Sequence, residues 1–240
     1  MYMYNTLTEV KLDIKSAIQE YDVEVEGGLI TYADTIRELP LVDIKTLFPI
    51  LTSQRAKFGF SGFKTIPEID TSNYTDMSYM FAYCTSLRKI PMLDTSNVTN
   101  MSSMFNGCTS LWSIPQLDTS NVTDMSYMFA YCEDINIPLL DASNVENADG
   151  ILSGVYQGYC DGFMNIGKNP NFPGFSCGSF SYERHKSVIN IFNHLYDRAS
   201  AGYSTSYIEV SRTVYEIFLT EEKISKVTNK GWVIRVNPFN

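Results

Sequence analysis

The chain has few basic residues, only two histidines and no long apolar run. Its 18 Lys and Arg residues are scattered among 27 Asp and Glu residues, which gives a formal net charge of -9. Nucleic-acid binding needs a basic surplus, so we expect no nucleic-acid partner. No apolar run approaches the roughly 18 residues that span a bilayer, and the start "MYMYNTLTEVKLD" lacks the features of a secretory signal. The sequence therefore predicts a chain that is neither secreted nor inserted into a membrane.

The residues and motifs that usually carry catalysis are also scarce. His185 and His194 are nine residues apart, which would place them on opposite faces of a helix. No serine-hydrolase, zinc-protease or phosphate-loop motif occurs, and Cys160 and Cys177 have no spacing typical of a zinc site. The sequence therefore favours a noncatalytic protein with no metal or other cofactor.

One short stretch of the sequence occurs three times with few changes. It reads "DTSNYTDMSYMFAYC" at 70–84, "DTSNVTNMSSMFNGC" at 94–108 and "DTSNVTDMSYMFAYC" at 118–132. Aligning on the aspartates at 70, 94, 118 and 141 gives spacings of 24, 24 and 23 residues. A fixed period in this range indicates a solenoid, in which each repeat is one structural unit stacked on the next. We number repeats 1 to 4 from these four aspartates.

The pattern inside each repeat predicts a short helix followed by a short strand. Met77, Met80, Phe81 and Cys84 stand at i, i+3, i+4 and i+7, which is typical of one apolar helix face. The following "TSLRKIPML" reads as a strand that ends at its proline, because proline has no N–H to donate. The predicted fold class is therefore α/β, a parallel solenoid of helix and strand units.

Three sets of repeated residues form the predicted structural ladder. Asp followed by Thr-Ser-Asn suits an Asx turn, the asparagines would bond the neighbouring repeat, and the cysteines would be small buried side chains. A cation site at the aspartates, and oxidation or metal binding at the cysteines, remain alternatives. The ladder residues are Asp70, Asp94, Asp118 and Asp141; Asn73, Asn97, Asn121 and Asn144; and Cys84, Cys108 and Cys132.

Exposed aromatic residues are the main candidate for a binding site. If the apolar face is buried, two tyrosines per helix point outward in repeats 1 and 3, whereas repeat 2 has serine and glycine there. These tyrosines would flank a small-residue dent able to take a sugar ring or a protein side chain, or would simply cover the helix. The candidate surface comprises Tyr79, Tyr83, Tyr127 and Tyr131, with a second patch of Arg88, Lys89 and Trp112 on the strand side.

The two ends differ from the repeats in composition. Residues 7–21 and 31–39 predict helices on either side of a Gly-Gly break, and 181–198, 203–211, 220–231 and 232–236 predict helix and strand units. We therefore expect an N-terminal helical segment at 1–41, a solenoid at 42–178 with clear repeats at 66–147, and a C-terminal cap at 179–240.

The repeat "DTSNYTDMSYMFAYCTSLRKIPML" at 70–93 resembles the BspA-like leucine-rich repeat. That family occurs in bacterial surface proteins, mycoplasma lipoproteins and virion proteins of phages of gut bacteria. The resemblance covers about 66–147 and implies a leucine-rich-repeat solenoid used for binding, with no enzymatic activity attached to the repeat.

Two further stretches resemble phage proteins of this kind. "DIKSAIQEYDVEVEGGLITYADTIREL" at 13–39 is similar to the opening of tail and appendage proteins, and "TEEKISKVTNKGW" at 220–232 to the ending of phage members of the repeat family. These resemblances imply a virion protein that attaches to other virion proteins through its N-terminal segment and recognises a host protein or glycan. A bacterial cell-surface adhesin, a purely architectural subunit and self-association in the particle stay open.

Overall fold

A computed structural model describes residues 64–66, 68–177 and 185–237. The helices predicted within 1–41 and the first residues of the solenoid, 42–63, lie outside this range. Within it, no helix is long and apolar enough to cross a bilayer. The described secondary-structure elements are β1 (Asn136–Ile137), β2 (Leu140–Asp141), β3 (Tyr159–Cys160), β4 (Phe163–Met164), β5 (Gly174–Ser176), α1 (His185–Asn193), β6 (Ser206–Ser211), α2 (Arg212–Phe218), α3 (Glu221–Asn229) and β7 (Trp232–Asn237).

The described strands pair in parallel. β1 pairs with β3, β2 pairs with β4, and β6 lies between β5 and β7 in a three-stranded sheet. Isolated parallel bridges link equivalent positions of earlier repeats, including Thr65 with Lys89 and Ser113 with Asn136. Parallel pairing between equivalent positions places equivalent side chains of successive repeats beside one another.

Backbone hydrogen bonds join each repeat to the next. The N–H groups of Met77 and Phe81 donate to the carbonyls of Asn100 and Met104, both at 2.9 Å. The same alternate positions of repeats 2 and 3 donate to repeats 3 and 4, at 2.6–3.0 Å. A repeat therefore satisfies about half of its backbone donors in this segment on its neighbour, as a stacked arrangement requires.

The short helix predicted in each repeat is wrong. Residues 77–84, 101–108 and 125–132 form consecutive turns, and the N–H groups of Met80 and Cys84 donate three residues back, to Met77 and Phe81. Left-handed residues interrupt the chain at Tyr79 (φ 61°) and Tyr83 (φ 62°), a conformation that an α-helix cannot include. The N–H groups of Tyr79, Phe81 and Tyr83 donate to the neighbouring repeat, so the helical i to i−4 ladder does not form.

The predicted burial of the apolar positions is confirmed. The methionine, phenylalanine and cysteine of the motif are buried in repeats 1 to 3. The Phe105 ring is stacked between the rings of Phe81 and Phe129, at centroid distances of 5.6 and 5.7 Å. Each ring thus supplies part of the apolar environment that its neighbour needs, which is why the letters recur at these positions.

The C-terminal unit follows its sequence prediction with one omission. α1 buries Val188, Ile191 and Phe192, and α3 begins after Thr220, whose side chain accepts from the N–H of Lys223 at 3.4 Å. β6 and β7 occur at 206–211 and 232–237, as predicted. α2 was not predicted from the sequence; Ser211 caps it by accepting from the Val214 N–H.

Arg198 ties this unit to the chain before it. Its guanidinium is fully buried and donates to the carbonyl oxygens of Gly167, Asn169, Pro170 and Ser204 at 2.6–2.9 Å. Burial lowers the pKa of this guanidinium. Four carbonyl acceptors replace the water that the charge has lost, so Arg198 works as a clamp between the two segments.

Candidate functional site

The turn that presents the tyrosines begins with a side-chain cap. The Asp76 carboxylate accepts a hydrogen bond from the Ser78 N–H at 2.8 Å, and Asn100 and Asp124 do the same for Ser102 and Ser126. Asn147 repeats this bond in repeat 4, to the N–H of Asp149 at 3.1 Å. An Asx bond of this kind fixes the start of a turn at the residue whose N–H donates it. The residue that follows this donor then points outward.

The four tyrosines of the predicted surface are exposed. Their exposed fractions are 51% for Tyr79, 58% for Tyr83, 43% for Tyr127 and 57% for Tyr131. We call these four residues the tyrosine surface. The predicted outward orientation is therefore confirmed, although turns and not helices produce it.

The four tyrosines and the equivalent positions of repeats 2 and 4 make eight backbone positions, and all eight are left-handed. The φ angles run from 54° to 75° at Tyr79, Tyr83, Ser103, Gly107, Tyr127, Tyr131, Gly150 and Gly154. Glycine adopts this conformation freely, whereas a residue with a Cβ pays about 1–2 kcal/mol. Tyrosine at four of the eight positions thus works against backbone stability.

The rings of Tyr83, Tyr127 and Tyr131 lie over the next repeat. A Cβ placed on Gly107 would stand 2.7 Å from Cδ1 of Tyr83, and one on Gly154 would stand 2.7 Å from Cδ1 of Tyr131. The Tyr127 ring lies in the same way against Gly150. Tyrosine and small residues therefore alternate from repeat to repeat because each ring uses the space above the repeat that follows.

The predicted dent in repeat 2 needs a correction. Ser103 is buried, and Gly107 is buried beneath the Tyr83 ring. Glycine here is required by the ring above it and by its own φ of 75°, so it does not form the floor of an open cleft. The tyrosine surface consists of two pairs of partly exposed rings, one pair in repeat 1 and one in repeat 3. Two repeats correspond to about 10 Å at the strand spacing of about 4.8 Å.

Tyr127 has an acidic neighbour that the other copies lack. Its hydroxyl donates to the Asp149 carboxylate at 3.4 Å, and the negative charge of Asp149 raises the pKa of Tyr127. Repeats 1 to 3 have serine at the position of Asp149. The tyrosine surface therefore carries a carboxylate at its repeat 4 end, as a hydrogen-bond acceptor beside an aromatic ring.

The aspartate ladder agrees with the Asx-turn interpretation. Asp94 Oδ1 accepts from the Ser96 N–H at 3.1 Å and from the Ser96 hydroxyl at 2.7 Å, and Asp70, Asp118 and Asp141 make the same pair of bonds. The hydrogen bonds from serine hold the pKa values of Asp70, Asp94 and Asp118 below the ordinary value. In the ranges that the structure describes, no group of three or more His, Cys, Asp or Glu side chains has metal-binding geometry.

The asparagine and cysteine ladders make bonds to the preceding repeat. The amides of Asn97, Asn121 and Asn144 donate to backbone carbonyls 24 or 25 residues earlier, at 2.6–2.9 Å. The thiols of Cys108 and Cys132 donate to the carbonyls of Phe81 and Phe105 at 2.9 Å. No bond of Asn73 to a described residue is seen.

All five cysteines are free and buried. The neighbouring Cys84 thiol and burial raise the pKa of Cys108, and burial raises the pKa of Cys132 to about 12. Burial also raises the pKa of Cys160 to about 12. Thiols of this kind are poor nucleophiles, which favours the interpretation of the cysteines as packing residues.

The predicted second patch is on the surface. Arg88, Lys89 and Trp112 are exposed. The backbone N–H of Trp112 donates to the carbonyl of Arg88 at 3.5 Å. The two residues thus occupy equivalent positions in repeats 1 and 2. Lys64 was not among the predicted residues, but it is exposed and its carbonyl accepts from the backbone N–H of Arg88 at 3.0 Å. The 24-residue spacing of 64, 88 and 112 could have identified it.

Comparison with known families gives one partial match. Residues 52–158 match a family model described as Mycoplasma protein of unknown function, DUF285. The match covers less than half of the 240 residues and is consistent with the BspA-like repeat resemblance over that stretch. The comparisons with curated proteins and with solved structures gave no match.

Proposed function

We propose that the chain is a noncatalytic recognition protein whose repeats form a parallel leucine-rich-repeat solenoid and whose tyrosine surface binds a partner. The observation that carries this proposal is the placement of four exposed tyrosines at left-handed backbone positions. Glycine or asparagine would suit the backbone better, so stability alone does not account for the rings. Strained residues of this kind are concentrated at functional sites in proteins.

The solenoid architecture is supported by the contacts between repeats. Backbone hydrogen bonds, the asparagine and cysteine bonds and the stacked phenylalanine rings all join residues about 22–27 positions apart. The helix and strand units of 185–237 would close the stack at its C-terminal end.

The biological setting that we propose is the virion of a phage of gut bacteria. The resemblances of 13–39 and 220–232 to phage tail, appendage and repeat proteins support this setting. Residues 1–41 would attach the chain to other virion proteins, and the repeats would contact a host surface protein or glycan during attachment. Mass spectrometry of purified particles tests the setting, and absence of the protein from them would contradict it.

The recognition role is tested separately by cell binding. Fluorescently labelled protein is added to a panel of gut-bacterial cells, with a variant that replaces all four tyrosines of the tyrosine surface by serine. We expect at least a tenfold loss of binding for this variant and none for the control Ile217→Ser, which alters an exposed residue of α2. Unchanged binding by a folded serine variant would exclude the tyrosine surface and favour an architectural subunit.

A second candidate is a bacterial cell-surface adhesin of the BspA-like family. The match of 52–158 to a family model described as a Mycoplasma protein favours a bacterial origin. This candidate predicts that an antibody against the chain labels intact producing cells. The virion candidate predicts labelling of particles instead, so the two are distinguished by one antibody.

A further inference from the structure

The charged side chains of the repeats are segregated by sign. Between residues 64 and 167 the basic side chains are Lys64, Arg88 and Lys89, and all other charged side chains are Asp or Glu. All three basic side chains are exposed, and none forms an ion pair with another residue in the described ranges. Over residues 64–167 the charged side chains are thus acidic except in one small basic area, and the exposed Lys168 follows this range.

Backbone hydrogen bonds place this basic area in line with an exposed tryptophan. The Arg88 N–H donates to the Lys64 carbonyl at 3.0 Å, the Trp112 N–H to the Arg88 carbonyl at 3.5 Å, and the Asn136 N–H to the Trp112 carbonyl at 2.8 Å. Parallel strands lie about 4.8 Å apart, so the row extends over about 14 Å. We call Lys64, Arg88, Lys89, Trp112 and Asn136 the strand row.

The side chains of Arg88, Trp112 and Asn136 leave the core on the same face, and Lys89, the residue after Arg88, is also exposed. Leu87, Leu111 and Ile135, which precede Arg88, Trp112 and Asn136 along the chain, are buried, and successive side chains of a strand point to opposite faces. Trp112 is 55% exposed. Within one row the surface therefore offers cations, a broad apolar ring and an amide.

Like charges in adjacent repeats repel, and an exposed indole leaves a large apolar face in water. Neither feature helps the stacking of the repeats, because the core positions on both sides of the row are already buried. An anionic ligand with an apolar face would relieve the repulsion and cover the ring. The chemistry of the row thus indicates a ligand, and its length indicates an extended one.

We propose that the strand row binds an acidic polysaccharide that contains uronic acid residues. One uronic acid carries a carboxylate, an apolar C–H face and several hydroxyl groups. The Arg88 guanidinium would bind the carboxylate through two hydrogen bonds, with Lys64 and Lys89 adding charge. The Trp112 ring stacks against a sugar face, and the Asn136 amide bonds hydroxyl groups of the next sugar along the row.

This site is separate from the tyrosine surface, and it can fail while the proposed function stands. The probe is polygalacturonate, immobilised and titrated with the full chain at low and moderate salt. The matched neutral polymer is galactan, and the matched acidic peptide is poly-L-glutamate. We expect binding to polygalacturonate, at least tenfold weaker binding to the other two, and weaker binding to polygalacturonate as salt rises, because exposed charges are screened.

Two variants assign the binding to the row. Arg88→Gln with Lys89→Gln removes the two charges, and Trp112→Ala removes the ring; both alter exposed side chains, so both are expected to fold. Each should weaken binding to polygalacturonate at least tenfold. The control Lys223→Gln with Lys226→Gln removes two charges from α3 and should leave binding unchanged.

Three results would overturn the proposal. The first is no binding of the unaltered chain to polygalacturonate. The second is equal binding to poly-L-glutamate, or full binding by Trp112→Ala, either of which would indicate an acidic protein partner recognised by charge alone. The third is equal loss in the α3 control, which would indicate attraction by net charge without a site.

Discussion

The ring of Tyr83 lies over Gly107, its counterpart in the next repeat, so close that a Cβ on Gly107 would stand 2.7 Å from the ring. Both residues occupy the same position of the repeat, and both are left-handed, with φ angles of 62° and 75°. The same relation joins Tyr131 to Gly154. Alternation of tyrosine and glycine along the stack is therefore a packing rule as well as a feature of the surface.

We predict that Gly107→Ala destabilises the chain more than Gly202→Ala does. Gly202 is also left-handed, with a φ of 71°, but has open space where its Cβ would be. Gly202→Ala therefore incurs only the backbone penalty of about 1 kcal/mol, whereas Gly107→Ala adds a clash with the Tyr83 ring. Urea unfolding measures both.

Combining Gly107→Ala with Tyr83→Ser supplies the control for this prediction. Removing the ring removes the clash, so the cost of Gly107→Ala should fall by about 1 kcal/mol in the Tyr83→Ser background. Additive effects of the two changes would show that the ring does not press on this backbone.

We predict that Tyr83→Gly is more stable than Tyr83→Ala, by about 1 kcal/mol. Both changes remove the ring, but only glycine also removes the cost of a Cβ at φ 62°. The difference between the two free energies of unfolding isolates the backbone term. Equal stability, or a more stable alanine variant, would contradict the claim that tyrosine is held at an unfavourable position.

Acid should destabilise the repeats partly through the aspartate ladder. The pKa values of Asp70, Asp94 and Asp118 are lowered in the folded chain, mainly by hydrogen bonds from serine. A lowered pKa adds stability above the unfolded value, near 4, and this stability is lost as the pH falls through the folded value. The urea midpoint should therefore drop between about pH 5 and pH 2.

Replacing these three aspartates by asparagine should make that drop smaller. Asparagine keeps the acceptor oxygen of the Asx turn but does not titrate. Changing Ser72, Ser96 and Ser120 to alanine should also flatten the profile, because the carboxylates then lose the hydroxyl bonds that lower their pKa. An unchanged pH profile in both variants would show that the ladder does not contribute.

Arg198→Lys should destabilise the C-terminal unit by at least about 2 kcal/mol, because an ammonium group cannot reach all four carbonyls that the guanidinium bonds. Amide hydrogen exchange in β6 and β7 measures this local loss. Arg212→Lys, at an exposed position, is the matched control and should have little effect. Equal protection in the two variants would mean that Arg198 is not a clamp.

The sequence identified burial well and local conformation poorly. Met77, Phe81 and Cys84 repeat because they pack against their counterparts, and this can be seen from spacing alone. The same spacing also arises from consecutive turns, so it did not distinguish a helix from them. Gly107, aligned with Tyr83 and Tyr131, was the available sign of a left-handed position, since glycine is common where φ is positive.

Contacts between repeats were harder to predict than contacts within them. Whether the Tyr83 ring packs over Gly107 depends on the orientation of the tyrosine side chain, and the sequence of one repeat does not specify this orientation. α2 was missed because Val214, Tyr215 and Ile217 are residues that favour strands, and the Ser211 cap overrides that preference. The exposure of the four tyrosines, by contrast, followed from the burial of their neighbours.

The most direct test of the recognition role is chemical footprinting of the tyrosine surface during attachment. Tyrosine nitration is measured by peptide mass spectrometry for free protein and for protein bound to the gut-bacterial cells that retain it. We predict that Tyr79, Tyr83, Tyr127 and Tyr131 lose most of their reactivity on binding, whereas Tyr203 of the C-terminal unit keeps its own. Unchanged nitration of the four tyrosines in cell-bound protein would contradict the account.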